Sequence, residues 1–281
     1  MGPSALRAAG LGAALQGLGH AVEDGGNISV KNPEEQHFGD KRAKYLSEIA
    51  GICHDVAERI TRTLEEDFFP VSLGGDHSMA VGTVAGISKF HQQRGQSVGL
   101  IWIDAHADMN TPETSPSGNV HGMPFAALLG FGPQALTGIL GDAAKISSQR
   151  AVLIGVRDMD SREKKTVKRS GIHVFTMRDI DEQGMRAVME KSLSLASDGA
   201  AGFIVSLDMD VMDPIEAPGV GTPVQGGLTF REAHLAMEMI ADSGRMLSLE
   251  LVEINPIIDI MNKTAILGVG LISSALGKKI L

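Results

Sequence analysis

Six short apolar runs constrain this chain more than any other feature: "FPVSLGG" (69–75), "VGLIWIDA" (98–105), "AVLIGVR" (151–157), "IHVFT" (172–176), "GFIVSLD" (202–208) and "RMLSLELVEI" (245–254). Several are apolar throughout rather than alternating, as strands are when both faces of their sheet are covered. Between them lie stretches of helical period at 42–66, 78–94, 184–197, 230–243 and 262–277. Strand and helix alternating over the whole length predict an α/β fold, a parallel, doubly wound sheet flanked by helices. No internal repeat, low-complexity segment or Pro/Gly/Ser linker divides the chain, so a single domain over 1–281 is expected. The longest stretch without a strand, 109–150, contains "MNTPETSPSGNVHGMP", dense in turn formers. Long loops inside compact domains tend to carry function.

Three of the runs end in charge. "SLGGDHS" places Asp76 and His77 after the first, "WIDAHAD" places Asp104, His106 and Asp108 after the second, and "VSLDMDVMDP" places Asp208, Asp210 and Asp213 after a third. The carboxyl ends of strands line the ligand crevice of an open parallel α/β sheet, so the three sets can converge. Asp104, His106 and Asp108 occupy every second position, and from an extended chain they point the same way. Singly, each has an ordinary explanation: an Asp after a strand is usually a helix N-cap, and a lone His a hydrogen-bonded residue. Together they need a counter-ion, because like charges that close repel and are costly to bury. Four carboxylates (Asp104, Asp108, Asp208, Asp210) and two imidazoles (His77, His106) suit two divalent cations. Hard oxygen donors without thiolate favour Mn²⁺ over a structural zinc site, and similar ligands accept Co²⁺ or Fe²⁺. Two such ions bridge a water, lower its pKa and aim the hydroxide at an electrophilic carbon.

Composition excludes other classes. The net charge of −9 argues against nucleic acid, which is bound by clustered Lys and Arg. The basic grouping "REKKTVKR" (162–169) reads as a solvated helix face. Aromatic residues make up only 4% of the chain, so the core must be built of Val, Ile, Leu, Ala and Met. The one cysteine, Cys53, sits in the amphipathic pattern "EIAGICHDVAERI" as a small core residue, which fits a reducing compartment. The opening "MGPSALRAAGLGAALQGLGH" has the apolar tint of a signal peptide but lacks a basic n-region. No apolar run approaches the roughly 18 residues that span a bilayer. A soluble, cytoplasmic protein with neither a membrane nor a nucleic-acid partner is expected.

The motifs "GGDHS", "DAHAD" and "SLDMDVMDP", in this order, resemble those of the ureohydrolase family, which includes arginases and agmatinases; the bacterial arginases match best. The resemblance implies a parallel α/β sheet and two Mn²⁺ per subunit on His77, Asp104, His106, Asp108, Asp208 and Asp210. It implies hydrolysis of L-arginine to L-ornithine and urea by a metal-bridging hydroxide. By the same resemblance Asn110, Ser115 and Ser117 hold the substrate's α-carboxylate, Asp160 contacts its α-amino group with Glu163 helping through water, and Thr222 lines the site. Glu253 would pair with the guanidinium, and Asp108 would pass a proton to the leaving amine. His121 would exchange protons with solvent, a task that an unperturbed histidine pKa near ~6.5 suits. Alternatives are a different guanidino substrate such as agmatine, which has no carboxylate, and a non-catalytic metal-binding relative. The family implies a homotrimer or homohexamer. Its first strand and glycine-rich turn are absent ahead of "MGPSALRAAGL", and their loss would leave a neighbouring strand unpaired; we expect a natural start upstream of Met1 rather than a shortened chain that folds less stably or relies on another subunit.

Overall fold

The computed structural model describes residues 1–32 and 35–279. Strands β1 (Gly39–Asp40) and β2 (Ala43–Lys44) form a small antiparallel hairpin. The other strands are β3 (Val71–Leu73), β4 (Gly99–Ile103), β5 (Ala151–Val156), β6 (His173–Thr176), β7 (Phe203–Asp208) and β8 (Met246–Val252). They make one sheet in the order β3-β8-β7-β4-β5-β6, every neighbouring pair parallel. Each arises from one of the apolar runs and is shorter than that run. Among the described residues β3 pairs with β8 alone and forms one edge.

Alternation along the strands divides the core into two layers. Ile101, Ile103, Val205, Leu207, Leu249 and Leu251 pack with residues of helices Met185–Ser197, Phe230–Ser243 and Lys263–Ala275, among them Val188, Met237 and Ile272. Leu100, Trp102, Leu153 and Ile204 face the opposite layer, against Val56, Ile60, Val84 and Ile87 of helices Leu46–Glu65 and Ala80–Gln92. The apolar N-terminus forms two helices, Gly2–Ala8 and Leu11–Gly17, which bury Leu6, Leu11 and Leu15 in the first layer. Segment 109–150 holds no strand, only the short helices Pro124–Leu128 and Gln134–Thr137 and single turns of 3₁₀ helix. The basic grouping forms helix Glu163–Ser170, whose lysines are exposed while Glu163 and Val167 are buried. Among the described residues no helix is long and apolar enough to cross a membrane.

The connections reverse direction between β4 and β7. The sheet runs outward from β4 through β5 to β6, and on the other side from β7 through β8 to β3. A crevice opens at such a switch point, over the carboxyl ends of the two adjoining strands. The charged ends of β4 and β7 lie there, and the turn after edge strand β3 brings His77 to the same cleft.

Candidate active site and metal centre

The acids reach the crevice by turning, not by strand alternation. β4 ends at Ile103, and Asp108 takes a left-handed backbone with φ of 51°. The extended D-x-H-x-D face expected from the spacing therefore does not form. Asp104 Oδ1 accepts from the His106 N–H at 2.7 Å, which folds the chain over itself, and Trp102 Nε1 donates to Asp104 Oδ2 at 2.9 Å. After β3, Asp76 accepts from the Ser78 N–H and caps a turn of 3₁₀ helix (His77–Met79), which brings His77 into the crevice. After β7, Asp208 caps the turn Met209–Val211 by accepting from the Asp210 N–H at 2.7 Å. Asp213 turns away and accepts from the N–H groups of Ile215, Gly226 and Gly227.

His77 Nδ1 lies 3.1 Å from Asp104 Oδ2, 3.2 Å from Asp108 Oδ2 and 3.1 Å from Asp208 Oδ2. His106 Nδ1 lies 3.0 Å from Asp210 Oδ2 and 3.6 Å from Asp104 Oδ1. Two triads result, His77–Asp104–Asp208 and Asp104–His106–Asp210, joined through Asp104. The structure thus brings together all six residues expected to ligate metal. Among the described residues no Lys or Arg forms an ion pair with any of the four acids.

The electrostatics expose the missing positive charge. Burial pushes the Asp208 carboxyl well above the usual range, and the charges of Asp210 and Asp104 add to it. Burial and Asp104 push Asp108 up to about 6 and raise Asp210 as well. Burial would raise Asp104 too, but the imidazoles of His106 and His77 beside it outweigh that and hold this carboxyl well below the usual range. Burial would lower the imidazoles, yet the surrounding carboxylates hold His77 well above its ordinary value and His106 at about 12. Among the described residues, buried His77 Nδ1 has no hydrogen-bond partner although it faces three carboxylate oxygens. Hard oxygen donors, unpartnered imidazole nitrogen and unbalanced buried acid together fit divalent cations.

Over this floor opens a cleft of about 240 Å³, with Asn110, His121, Asp160, Glu163, Thr222 and Glu253 in its walls. Glu253, another non-glycine residue in the left-handed region (φ 65°), accepts from the His77 N–H at 2.9 Å and lies 3.4 Å from His121 Nδ1. That hydrogen bond pushes His121 up to about 9, so the histidine is not unperturbed as the sequence leads one to expect. Asp160 accepts from Asn110 Nδ2 at 3.1 Å and from the N–H groups of Arg162 and Glu163; burial would raise this carboxyl, and those bonds hold it below the usual range. Glu163 accepts from the Met109 N–H, and burial pushes its carboxyl up to about 8. Thr222 Oγ1 donates to Asp210 Oδ2 at 2.9 Å. Ser115 and Ser117 stand on either side of Pro116, which does line the cleft; their hydroxyls accept from the N–H groups of Gly118 and Asn119.

Arg157 has no place in the sequence reading. Its guanidinium donates to the carbonyls of Asp210 (2.9 Å), Val211 (3.0 Å) and Val224 (2.7 Å), clamping the turn that carries Asp210 to the segment after Thr222. Gly227 leaves room for it, since a Cβ there would stand 2.6 Å from Arg157 Nη2. The available signal was an arginine directly after a buried strand, in "GVRDMD".

The chain matches the Arginase family over residues 1–277. It is 48% identical over 282 residues to the arginase of Bacillus caldovelox, with 100% of this chain and 93% of that protein covered. The arginase of Bacillus subtilis (strain 168) is 47% identical over 281 residues, with the same coverage of 100% and 93%. The solved native structure of the Bacillus caldovelox arginase at pH 5.6 aligns with a TM-score of 0.96 at 48% identity, covering 100% of this chain and 93% of that one. Likeness of this extent in both sequence and fold carries a single conclusion: the chain belongs to the arginase family, and the protein is an amidinohydrolase.

Proposed function

We propose that the protein hydrolyses L-arginine, with water, to L-ornithine and urea, using two Mn²⁺ held by His77, Asp104, His106, Asp108, Asp208 and Asp210. The observation that carries this reading is the pair of triads sharing Asp104 beneath an open cleft. Bound there, the ions supply Lewis acidity, which makes water nucleophilic at neutral pH.

The chain's own side chains do the rest. Glu253, steadied through Oε1 by the His77 N–H, turns its carboxylate to the guanidinium and fixes the carbon over the triads. At the far end of the substrate Asp160 takes the α-amino group, with Glu163 assisting through water. Asn110, Ser115 and Ser117 hold the α-carboxylate. Each serine oxygen accepts a backbone N–H, which leaves its O–H proton to donate. The bond from Asn110 to Asp160 ties these two subsites into one unit. Asp108 delivers a proton to the departing amine, and His121, half-buried at the wall, exchanges protons with solvent. Thr222 steadies Asp210.

Residues 1–281 act in this reading as one catalytic domain, in the cytoplasm, where a lone buried Cys53 is at home. We also propose a homotrimer or homohexamer. An exposed apolar patch supports self-association: Ile215, Ile257, Ile258, Ile260, Met261 and Ile266, with Lys263 Nζ bound to the Ile215 carbonyl beside them.

Urea release on L-arginine and on agmatine, side by side with and without Mn²⁺, tests the proposal. Metal-dependent urea from arginine alone is expected. Urea from agmatine would sink the carboxylate subsite and leave the metal centre standing, and urea from neither would sink the activity.

A further inference from the structure

Below the floor of the cleft the polar network continues into the sheet. Ser206 of β7 and Glu250 of β8 are register partners, both fully buried, and neither handles substrate in the reading above. Ser206 Oγ donates to Glu250 Oε1 at 2.5 Å and lies 2.7 Å from His77 Nε2. A hydroxyl has one proton. With that proton committed to Glu250, Ser206 can only accept from the ring, so His77 Nε2 carries the N–H. In the neutral ring that a cation requires, Nδ1 is then the nitrogen with the lone pair, and it faces the oxygens of Asp104, Asp108 and Asp208.

The neighbouring Trp102 stacks on the His77 ring at 3.9 Å and 11°, which sets the plane of the imidazole but not which nitrogen is protonated. On the Nε2 side the serine and the carboxylate behind it favour a proton on that nitrogen, and a cation among the three acids would take the place of a proton on Nδ1. Folding does not account for that carboxylate. Among the described residues Glu250 Oε2 is buried without a hydrogen-bond partner, a costly arrangement that an apolar residue in a strand would avoid.

We propose that Glu250 is a positioning residue for the metal centre: acting through Ser206, it holds His77 as the Nε2–H tautomer and so presents Nδ1 to the cation shared with Asp104 and Asp208. The inference rests on the metal-dependent reading above. Outer partners of ligating histidines are typically worth about 10- to 100-fold in metal affinity.

The test uses the full chain stripped with EDTA and titrated with Mn²⁺, free ion being counted by electron paramagnetic resonance. Wild type is compared with Ser206→Ala and Glu250→Gln, and the metal-free proteins are melted as a control for folding. The expected result is one Mn²⁺ weakened by about 10- to 100-fold and the other held as in wild type, in at least one variant whose metal-free form melts with the wild type. Wild-type affinity at both ions in both variants would overturn the relay and leave the metal reading intact, as would equal weakening of both ions. A wild type that takes up no Mn²⁺ would overturn the two together.

Discussion

Arg157 spends its guanidinium on main-chain carbonyls, so its removal orphans several acceptors beneath Asp210 at once. A buried polar group left without a partner costs about 1–3 kcal/mol. Arg157→Met should therefore lower stability by about 3 kcal/mol in urea denaturation, and Arg157→Lys should recover only part, because an ammonium lacks the planar fork. A loss below about 0.5 kcal/mol, ordinary for a surface change, would refute the clamp. Glu163 makes a second prediction, through pH. Its carboxyl lies at about 8 in the fold against an ordinary value of 4.5, so between these pH values the folded protein keeps a proton that the unfolded chain has lost. Stability contributed by that proton is present at low pH and is lost as pH rises through about 8. Glu163→Gln, which still accepts from the Met109 N–H, should gain on the metal-free wild type as pH goes from 5 to 9. Urea midpoints at the two pH values measure this, and a constant difference would count against it.

At the scale of elements, helix Ala80–Gln92 packs on Leu46–Glu65 through glycines. A Cβ on Gly82 would stand 2.3 Å from the Cys53 carbonyl oxygen, and one on Gly86 2.6 Å from that of Ala57. Gly82→Ala should cost about 1–3 kcal/mol by overpacking, despite the roughly 1 kcal/mol that alanine gains in a helix. Gly12→Ala, in helix Leu11–Gly17 with nothing within 4 Å of the added Cβ, should show that gain instead. Thermal melts of the pair decide between contact and propensity, since propensity alone stabilises both. Because Ala80–Gln92 directly follows the turn that carries His77, the same overpacking should also weaken Mn²⁺ binding. Six strands and five helices were legible as periodicity. The short helix Met177–Gln183 was not, although the "TMRD" at its start, where Thr176 and Asp179 form a capping box, was a readable signal. The N-terminal helices were obscured by glycines that dilute their apolar pattern.

For the molecule as a whole, four acids converge without a Lys or Arg partner among the described residues, from which we predict a fold that depends on counter-ions. Chelation should lower the melting temperature and added Mn²⁺ should restore it, with about 2.7 kcal/mol of stabilisation when the free ion is 100 times its dissociation constant. The restored increment should shrink on acidification, as protons compete for the same ligands. A melting temperature indifferent to chelator and metal would refute a resident ion. The apolar patch makes a separate prediction about assembly: Ile257→Asp combined with Ile260→Asp should reduce the mass seen by light scattering. An unchanged mass would place the interface elsewhere.

What the sequence by itself determined is local or additive. Hydrophobic period separated strands from helices, and the acids at three strand ends demanded a counter-ion wherever they met. The family motifs could be read in order along the chain. Only the tertiary structure decided which acids share a centre: Asp104 joins both triads while Asp213, from the same motif as Asp208, staples a loop. It also set His121 against Glu253, drew Arg157 under Asp210 and put Glu250 behind Ser206 and His77. These pairings join residues 44 to 132 positions apart along the chain. They follow from strand order and register, and register is a property of neighbouring strands that no one segment of sequence contains.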